Sequence, residues 1–384
     1  LICAGGTGGG VYPALTVLQA MMASTNEHAP QPPSPGQPQA GENLEALWVG
    51  AEGGMEQDLV KRAGVSFEAI PAAGVHGVNL RALPGNVLKL SRGYRQAGRL
   101  LRRFHPDVLF FTGGYVAVPV ALAGRAIPSL LYVPDIEPGL ALKTLARFAD
   151  HIALTAEESR LFFPAANRHR VTVTGYPVRK DLTDWSLEEA RRELNLSPDL
   201  PTLLVFGGSK GARSINQALM GALPQLLEQM QVVHVSGQLD WPDVQAFRNQ
   251  LDDRRASHYR AFAYLHERMG AALRAADLAL SRAGAATLGE FPAFGLPALL
   301  VPYPHAWRYQ KVNALHLVEQ GAAVMVHDEA LEGKLLSVVR DLMGDSSKLE
   351  RMRRAMHSLA HPDAAKSIAS LLFDLAADAS PIRM

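Results

Sequence analysis

The sequence predicts an α/β protein made of two doubly wound parallel-sheet domains. Short apolar runs alternate with helical segments along the whole chain, the signature of strands covered by crossover helices. Glycine-rich turns close the runs at Gly5–Gly10, Thr112–Tyr115 and Gly207–Ala212, and a small-residue turn follows at Arg282–Ala285. An open parallel sheet binds its ligand at such strand ends. The alternation restarts at Leu203 after a polar helical stretch, placing a boundary near Val178 in a chain of 384 residues, a length that ordinarily makes two domains.

Leu1–Ala4 reads as a buried strand running into Gly5-Gly6-Thr7-Gly8-Gly9-Gly10, with Pro13 opening a helix over Ala14–Ala23. Five glycines in six positions allow close backbone approach and positive φ, a nest for a phosphate or sugar. A plain tight turn is the alternative. The run is not GxGxxG, and no acidic residue stands where a dinucleotide site needs one. Ser24–Asn43 is rich in Pro and Gln and reads as a surface insertion. Leu47–Gly50 is the next strand, followed by a helix. Between Arg81 and Arg103 lie seven basic residues (Arg81, Lys89, Arg92, Arg95, Arg99, Arg102, Arg103) and no acidic one. Leu90, Tyr94, Ala97, Leu101 and Phe104 recur there as an apolar stripe. Such a helix either docks on an anionic membrane or simply covers a sheet with a solvated Arg face.

Asp107–Phe111 is a strand ending in Thr112-Gly113-Gly114-Tyr115. Ser129–Val133 leads to Pro134-Asp135-Ile136-Glu137-Pro138-Gly139, a rigid lip carrying two carboxylates. Either carboxylate can instead cap the helix that starts after Pro138. Ile152–Ala156 and Val171–Thr174 complete the first half. In the second, Leu203–Phe206 enters the third glycine turn, where Ser209 and the following N–H groups can bind a phosphate. Val232–Ser236, Tyr259–Phe262 and Asp277–Leu280 are strands, and a helix is expected from about Thr287. Glu290 lies three residues beyond Thr287, which fits a capping box and equally a carboxylate that accepts from a ribose diol. After the strand Ala298–Val301, the loop PYPHAWRYQKVNA enters a helix with Gln310 and Asn313 one turn apart. Val324–Val326 precedes the terminal helices.

Composition narrows the function classes. Hydrophobic residues make up 48% and charged ones 20%, enough for two cores, while the net charge of +1 gives no global field for nucleic acid. The single cysteine, Cys3, excludes internal disulfides and fits a reducing compartment. No apolar window is long enough to span a bilayer. The chain opens inside a strand without a methionine or signal-peptide pattern, so a cytosolic protein lacking a few N-terminal residues is expected. No DxD pair or His/Cys cluster suggests a metal.

RAGAATLGE followed by PYPHAWRYQKVNA resembles the donor-sugar signature of the MurG family of peptidoglycan N-acetylglucosaminyltransferases, and more broadly the inverting GT-B glycosyltransferases. GGTGGG with PAL, GGYV over Gly113–Val116, GYPVR at Gly175–Arg179 and GGSKGA resemble further family motifs. The resemblance implies a GT-B fold, with two Rossmann-like domains facing a cleft. Residues 1–178 would form an acceptor- and membrane-facing domain completed by a C-terminal helix from about residue 365. Residues 179–364 would bind the UDP-sugar. It further implies Thr7, Gly8, Gly9, Asp135, Arg179, Ser209, His266, Ala285, Ala286, Thr287, Leu288, Gly289, Glu290 and Gln310 at the donor UDP-GlcNAc. Gly6, Gly10, Gly113, Gly114 and Tyr115 would meet the acceptor or its phosphates. The implied partners are lipid I and an anionic membrane surface at the cytoplasmic face, with no cofactor, no metal and no nucleic acid. Three departures stand out: Gly10 replaces a family His, Asp135 the Asn of HEQN, and Tyr176 an Asn. Asp135 is the candidate catalytic base, or else it only holds a sugar. Two other readings stay open: a related transferase with another lipid acceptor such as diacylglycerol, and a non-catalytic nucleotide-sugar-binding relative.

Overall fold

The computed structural model describes residues 1–5, 8–27, 44–54, 56–72, 83–208, 211–305 and 309–379. The chain divides into two units, Leu1–Pro134 with Pro138–Pro177 and Asp363–Met384, and Asp135–Glu137 with Val178–Pro362. Each unit is built on an all-parallel sheet.

The first sheet contains β1 (Ile2–Cys3), β2 (Leu47–Ala51), β3 (Ser66–Ile70), β4 (Leu109–Phe111), β5 (Ser129–Val133), β6 (His151–Leu154) and β7 (Val171–Val173), in the order β3-β2-β1-β4-β5-β6-β7. β4, β5 and most of β6 are buried on both faces, which is why they read as unbroken apolar runs. β3 was not expected. At the sheet edge its residues are mostly half-exposed, so its sequence SFEAI carries neither an apolar run nor a clean alternation. The first helix also differs: it runs from Gly8 to Glu27 with Pro13 inside it. Pro13 removes only the hydrogen bond to the Gly9 carbonyl, close to the helix start, where that loss is best tolerated.

The helix Leu83–Phe104 buries Gly93, Ala97, Leu100 and Leu101. Tyr94, expected in that stripe, points outward with 49% exposure, beside exposed Leu88, Lys89, Arg92, Arg95 and Arg99. The buried line thus runs one residue away from Tyr94, and aromatic and aliphatic groups lie among the arginines. Arg81, His76, Val78 and Leu80 are outside the described residues, as is most of the Ser24–Asn43 segment. The helix Ala364–Ala379 belongs to this unit, packing on Gly8–Glu27 and β5 with Ile368, Ala369 and Leu372 buried.

The second sheet contains β8 (Thr202–Phe206), β9 (Gln231–Val235), β10 (Tyr259–Phe262), β11 (Leu278–Ser281), β12 (Ala298–Leu300) and β13 (Ala323–Met325), in the order β10-β9-β8-β11-β12-β13. Its core joins Leu203, Val205, Leu278, Leu280 and Leu299 to the helices Arg213–Leu226 and Leu331–Gly344. In each sheet the strand order reverses between two neighbours, β1 and β4 in one, β8 and β11 in the other. All four strand ends carry the turns singled out by sequence. Among the described residues no helix is long and apolar enough to cross a membrane.

Candidate active site

In the second unit the site forms where β8 and β11 end side by side. The turn after β8 folds tightly: Gly211 has φ +78°, and a Cβ there would lie 2.3 Å from the Ser236 carbonyl oxygen. Only glycine fits. Ala212 then precedes the helix Arg213–Leu226 without any side-chain cap, leaving first-turn N–H groups open to an anion. Ser209, the expected phosphate ligand, lies outside the described residues.

After β11, Arg282 turns into the protein. Its guanidinium donates to Val301 O (3.1 Å), Ser214 Oγ (2.8 Å) and the Asp328 carboxylate, and it stacks 5.3 Å from the centre of the Tyr303 ring. It ties the ends of β11 and β12 to the start of Arg213–Leu226. Ala285, Ala286, Thr287 and Leu288 form one 3₁₀ turn, and a short helix follows from Glu290 to Phe294. A continuous helix from Thr287 does not form. Gly289 departs from helical geometry (φ −127°, ψ −47°), and Pro292 has no N–H for the Leu288 carbonyl.

The capping-box reading of Glu290 fails. Thr287 Oγ1 donates to Gly284 O at 2.7 Å, and Gly289 holds the N-cap position with no side-chain bond. Among the described residues the Glu290 carboxylate accepts no hydrogen bond. Burial pushes its pKa from 4.5 up to about 7, against the pull of Arg179. Arg179 itself leads the turn Lys180–Thr183 and pairs with Asp181 at 3.4 Å. A half-buried carboxylate without a hydrogen-bond donor is costly, and a donor-rich ligand relieves that cost.

Gln310 and Asn313 open the helix Tyr309–Glu319 but act differently. Gln310 Oε1 accepts the Tyr303 N–H at 2.8 Å, which turns its amide Nε2 to other partners. Asn313 is fully buried; its Nδ2 donates to Asp135 Oδ1 (2.8 Å) and Ala283 O (3.1 Å), while its Oδ1 accepts the Ile136 N–H (3.0 Å). These bonds draw Asp135–Glu137 into the second unit, whereas sequence placed them with the first. Burial raises the Asp135 pKa, and the Asn313 bond partly offsets this. Neither Asp135 nor Glu137 caps the helix after Pro138: Gly139 is its N-cap, with no side-chain bond. His266 starts a 3₁₀ turn with φ +47° and an exposed ring. A left-handed conformation at a non-glycine residue fits a backbone role.

In the first unit, Gly8, Gly9 and Gly10 form the first turn of the helix after β1; Gly6 and Thr7 are outside the described residues. Thr112 Oγ1 donates to Gly10 O at 2.7 Å. A Cβ on Gly114 would come within 3.1–3.3 Å of the Gly5 backbone. The two glycine turns therefore pack on each other, with Gly113 between them and β4, and Tyr115 half-exposed beyond.

Comparison with known proteins decides the family. Residues 39–154 match the glycosyltransferase family 28 N-terminal domain and residues 202–368 its C-terminal domain. A protein of Roseiflexus sp. (strain RS-1) named UDP-N-acetylglucosamine--N-acetylmuramyl-(pentapeptide) pyrophosphoryl-undecaprenol N-acetylglucosamine transferase is 41% identical over 96% of this chain and 93% of its own. The chain belongs to glycosyltransferase family 28. A protein of the same name from Desulforamulus reducens is 36% identical, covering 96% of both chains. The crystal structure of Acinetobacter baumannii MurG superposes with a TM-score of 0.71 at 25% identity, over 97% of this chain and 98% of that one. The fold is that of the GT-B glycosyltransferases.

Within this family 28 member, sequence reasoning overlooked the polar groups that hold the site from behind. Asp328 fixes Arg282, and a chain running from buried Tyr259, His234 and Asn216 to partly buried Asp240 supports the turn at Gly211. Each sits in an otherwise apolar strand or on a helix, far in sequence from its partners. No local spacing marks such groups.

Proposed function

We propose that the chain transfers N-acetylglucosamine from UDP-GlcNAc to undecaprenyl-pyrophosphoryl-MurNAc-pentapeptide (lipid I), with inversion at the anomeric carbon, giving lipid II for peptidoglycan synthesis. The observation that carries this reading is the near-complete match to relatives bearing that name. In the second unit, Glu290 accepts from the ribose hydroxyls, the Gln310 amide nitrogen meets the sugar hydroxyls, and the His266 backbone meets the uracil. The diphosphate lies against Ser209, Arg179 and the uncapped start of Arg213–Leu226, where aligned N–H groups stabilise the departing UDP without a metal. Thr7, Gly8 and Gly9 complete the donor contacts. Gly6, Gly10, Gly113, Gly114 and Tyr115 receive the acceptor and its phosphates, and Asp135 takes the proton of the attacking hydroxyl. The protein works as a peripheral protein on the cytoplasmic leaflet.

UDP release from UDP-GlcNAc tests the reaction. Lipid I should support turnover, diacylglycerol should not, and a chelator should change nothing. Release with diacylglycerol alone, or with neither acceptor, overturns the reading.

Glu290→Ala should raise the UDP dissociation constant at least about tenfold, since a charged hydrogen bond is worth roughly 1.5–3 kcal/mol. Gln310→Ala should weaken UDP-GlcNAc more than UDP. Calorimetry with both ligands separates the two roles, and native UDP affinity in Glu290→Ala would remove Glu290 from the ribose.

The raised pKa of Glu290 gives a second check. In the folded state the group holds its proton to about 7, against 4.5 unfolded, so the folded state binds more protons in between. Stability is therefore lost as pH rises through that window. Ligand binding needs the ionised form and strengthens over the same window. Glu290→Gln should raise Tm at pH 8 by about 2–4 °C, leave it nearly unchanged at pH 4, and abolish the pH dependence of affinity for UDP-GlcNAc, whose doubly esterified diphosphate does not titrate in this window. A lower Tm at pH 8 would contradict this assignment.

A further inference from the structure

Behind the turn that receives the diphosphate lies a chain of buried polar side chains with no part in the reaction described above. His234, on β9, is fully buried. Its Nδ1 lies 2.7 Å from Tyr259 Oη on β10, and its Nε2 lies 2.9 Å from Asn216 Oδ1. Asn216 sits one turn into the helix Arg213–Leu226 and is 1% exposed. Its Nδ2 reaches Ser236 O at 2.9 Å and Asp240 Oδ2 at 2.8 Å.

The chemistry of the partners fixes every hydrogen. A carbonyl and a carboxylate both accept, so the nitrogen of the Asn216 amide must face them. Its oxygen must then face the imidazole, so His234 carries its hydrogen on Nε2. Nδ1 is left as an acceptor for the Tyr259 hydroxyl. Donors therefore run one way, from Tyr259 to His234 to Asn216 to Ser236 and Asp240. Burial keeps the ring neutral, with its pKa pushed down to about 3, so physiological pH does not disturb the arrangement.

This chain ends on an atom that shapes the anion-facing turn. The Ser236 carbonyl held by Asn216 is the same oxygen against which Gly211 packs without room for a Cβ. Asn216 thus joins its own helix to Ser236 just beyond the turn, and the carbonyl sets how closely that turn can approach. Asp240 begins the helix Trp241–Arg248 but does not cap it; its carboxylate serves Asn216 instead.

We propose that His234 is a positioning residue for the diphosphate: through Asn216 it holds the Ser236 carbonyl against Gly211 and so places the uncapped start of Arg213–Leu226. This rests on the reading that the Gly207–Ala212 turn takes the donor's diphosphate. It assigns a purpose to a group that touches no substrate.

Two amide substitutions separate positioning from mere packing. A glutamine nitrogen stands near imidazole Nε2, so His234→Gln keeps the donor to Asn216 and loses the acceptor for Tyr259. An asparagine stands near Nδ1, so His234→Asn keeps the Tyr259 partner and loses the donor to Asn216. Both bury one amide in the same place and should lower Tm similarly. UDP binding by calorimetry should stay within about twofold of native in His234→Gln and weaken about tenfold in His234→Asn, the loss of one buried hydrogen bond. Equal affinities in the two variants would overturn the proposal, whatever their Tm. Should His234→Asn fail to fold, Asn216→Asp keeps the acceptor for His234 and removes, isosterically, the donor that holds the Ser236 carbonyl, the next link of the same chain, and should weaken UDP at least as much; native affinity there would also overturn it.

Hydrogen exchange supplies a readout independent of the ligand. The bonded amides on either side of the open helix start, Gly211 N–H to Gly208 O and Asn216 N–H to Ala212 O, should lose protection in His234→Asn and keep it in His234→Gln; uniform protection in both overturns the proposal. If the native protein binds no UDP, the nucleotide reading fails, and exchange alone decides whether His234 places the turn. Nitrogen-15 spectra of the native protein should show the Nε2–H tautomer of His234, and the opposite tautomer would break the chain at its first link.

Discussion

Replacing Asp135 by Asn should lower kcat by about 10²–10⁴-fold, the usual contribution of a general base, while donor KM changes little. The structure makes this substitution a clean one. Asn313 Nδ2 donates to Asp135 Oδ1, and the Asn313 amide cannot flip because Ile136 N–H and Ala283 O hold it from both sides. An asparagine at 135 can offer its own oxygen to the same donor, so position and shape persist and only the capacity to take a proton is lost. Burial raises the Asp135 pKa, so the ascending limb of the native kcat–pH profile should lie above the ordinary carboxylate range and vanish in the variant. If Asp135 only holds a sugar, Asn restores the family residue and kcat stays close to native. A kcat within about threefold of native would remove Asp135 as the base. Tyr115, half-exposed after β4, is then the group to test.

Reversing Arg92, Arg95 and Arg99 to Glu together should abolish sedimentation with anionic vesicles. Each basic residue near an anionic surface is worth about 1 kcal/mol, so three reversals change partitioning by roughly 10⁴-fold. All three side chains are exposed on Leu83–Phe104, beside outward-facing Leu88 and Tyr94. Arg103 is a poorer choice, because it already pairs with Glu68 at 2.5 Å. Turnover of a water-soluble acceptor analogue should survive the triple change. Equal binding of the native protein to neutral and anionic vesicles would sink the idea.

The elements readable from sequence were those whose physics is local. β5 and β9 are buried along their whole length, so each stands out as a short run. The turns after β4 and β8 announce themselves because positive φ and close backbone at Gly114 and Gly211 leave little room for any other residue. Elements that depend on distant partners were not readable. β3 gains order only as an edge strand paired to β2, and its composition says little. Glu290 had two readings of equal local merit, and the capping one failed because Gly289 and Pro292 break the helix. Asp135 looked like part of the first half because strand β5 leads into it. Its assignment to the second unit depends on Asn313, 178 residues further along. His234 sits in a strand reading QVVHV, where a lone imidazole gives no hint of its two polar partners, Tyr259 and Asn216.

The placement of the helix Ala364–Ala379 has a consequence for how the protein is made. It completes the first unit's packing against Gly8–Glu27 and β5, yet roughly 190 residues separate it from Pro177, where that unit's main segment ends. At about 5–20 residues per second, the ribosome takes about 10–40 s to cross that distance. During that interval the apolar side of Gly8–Glu27 that later receives Ile368 and Leu372 has no cover from its own chain. The unit begun first on the ribosome is the one finished last.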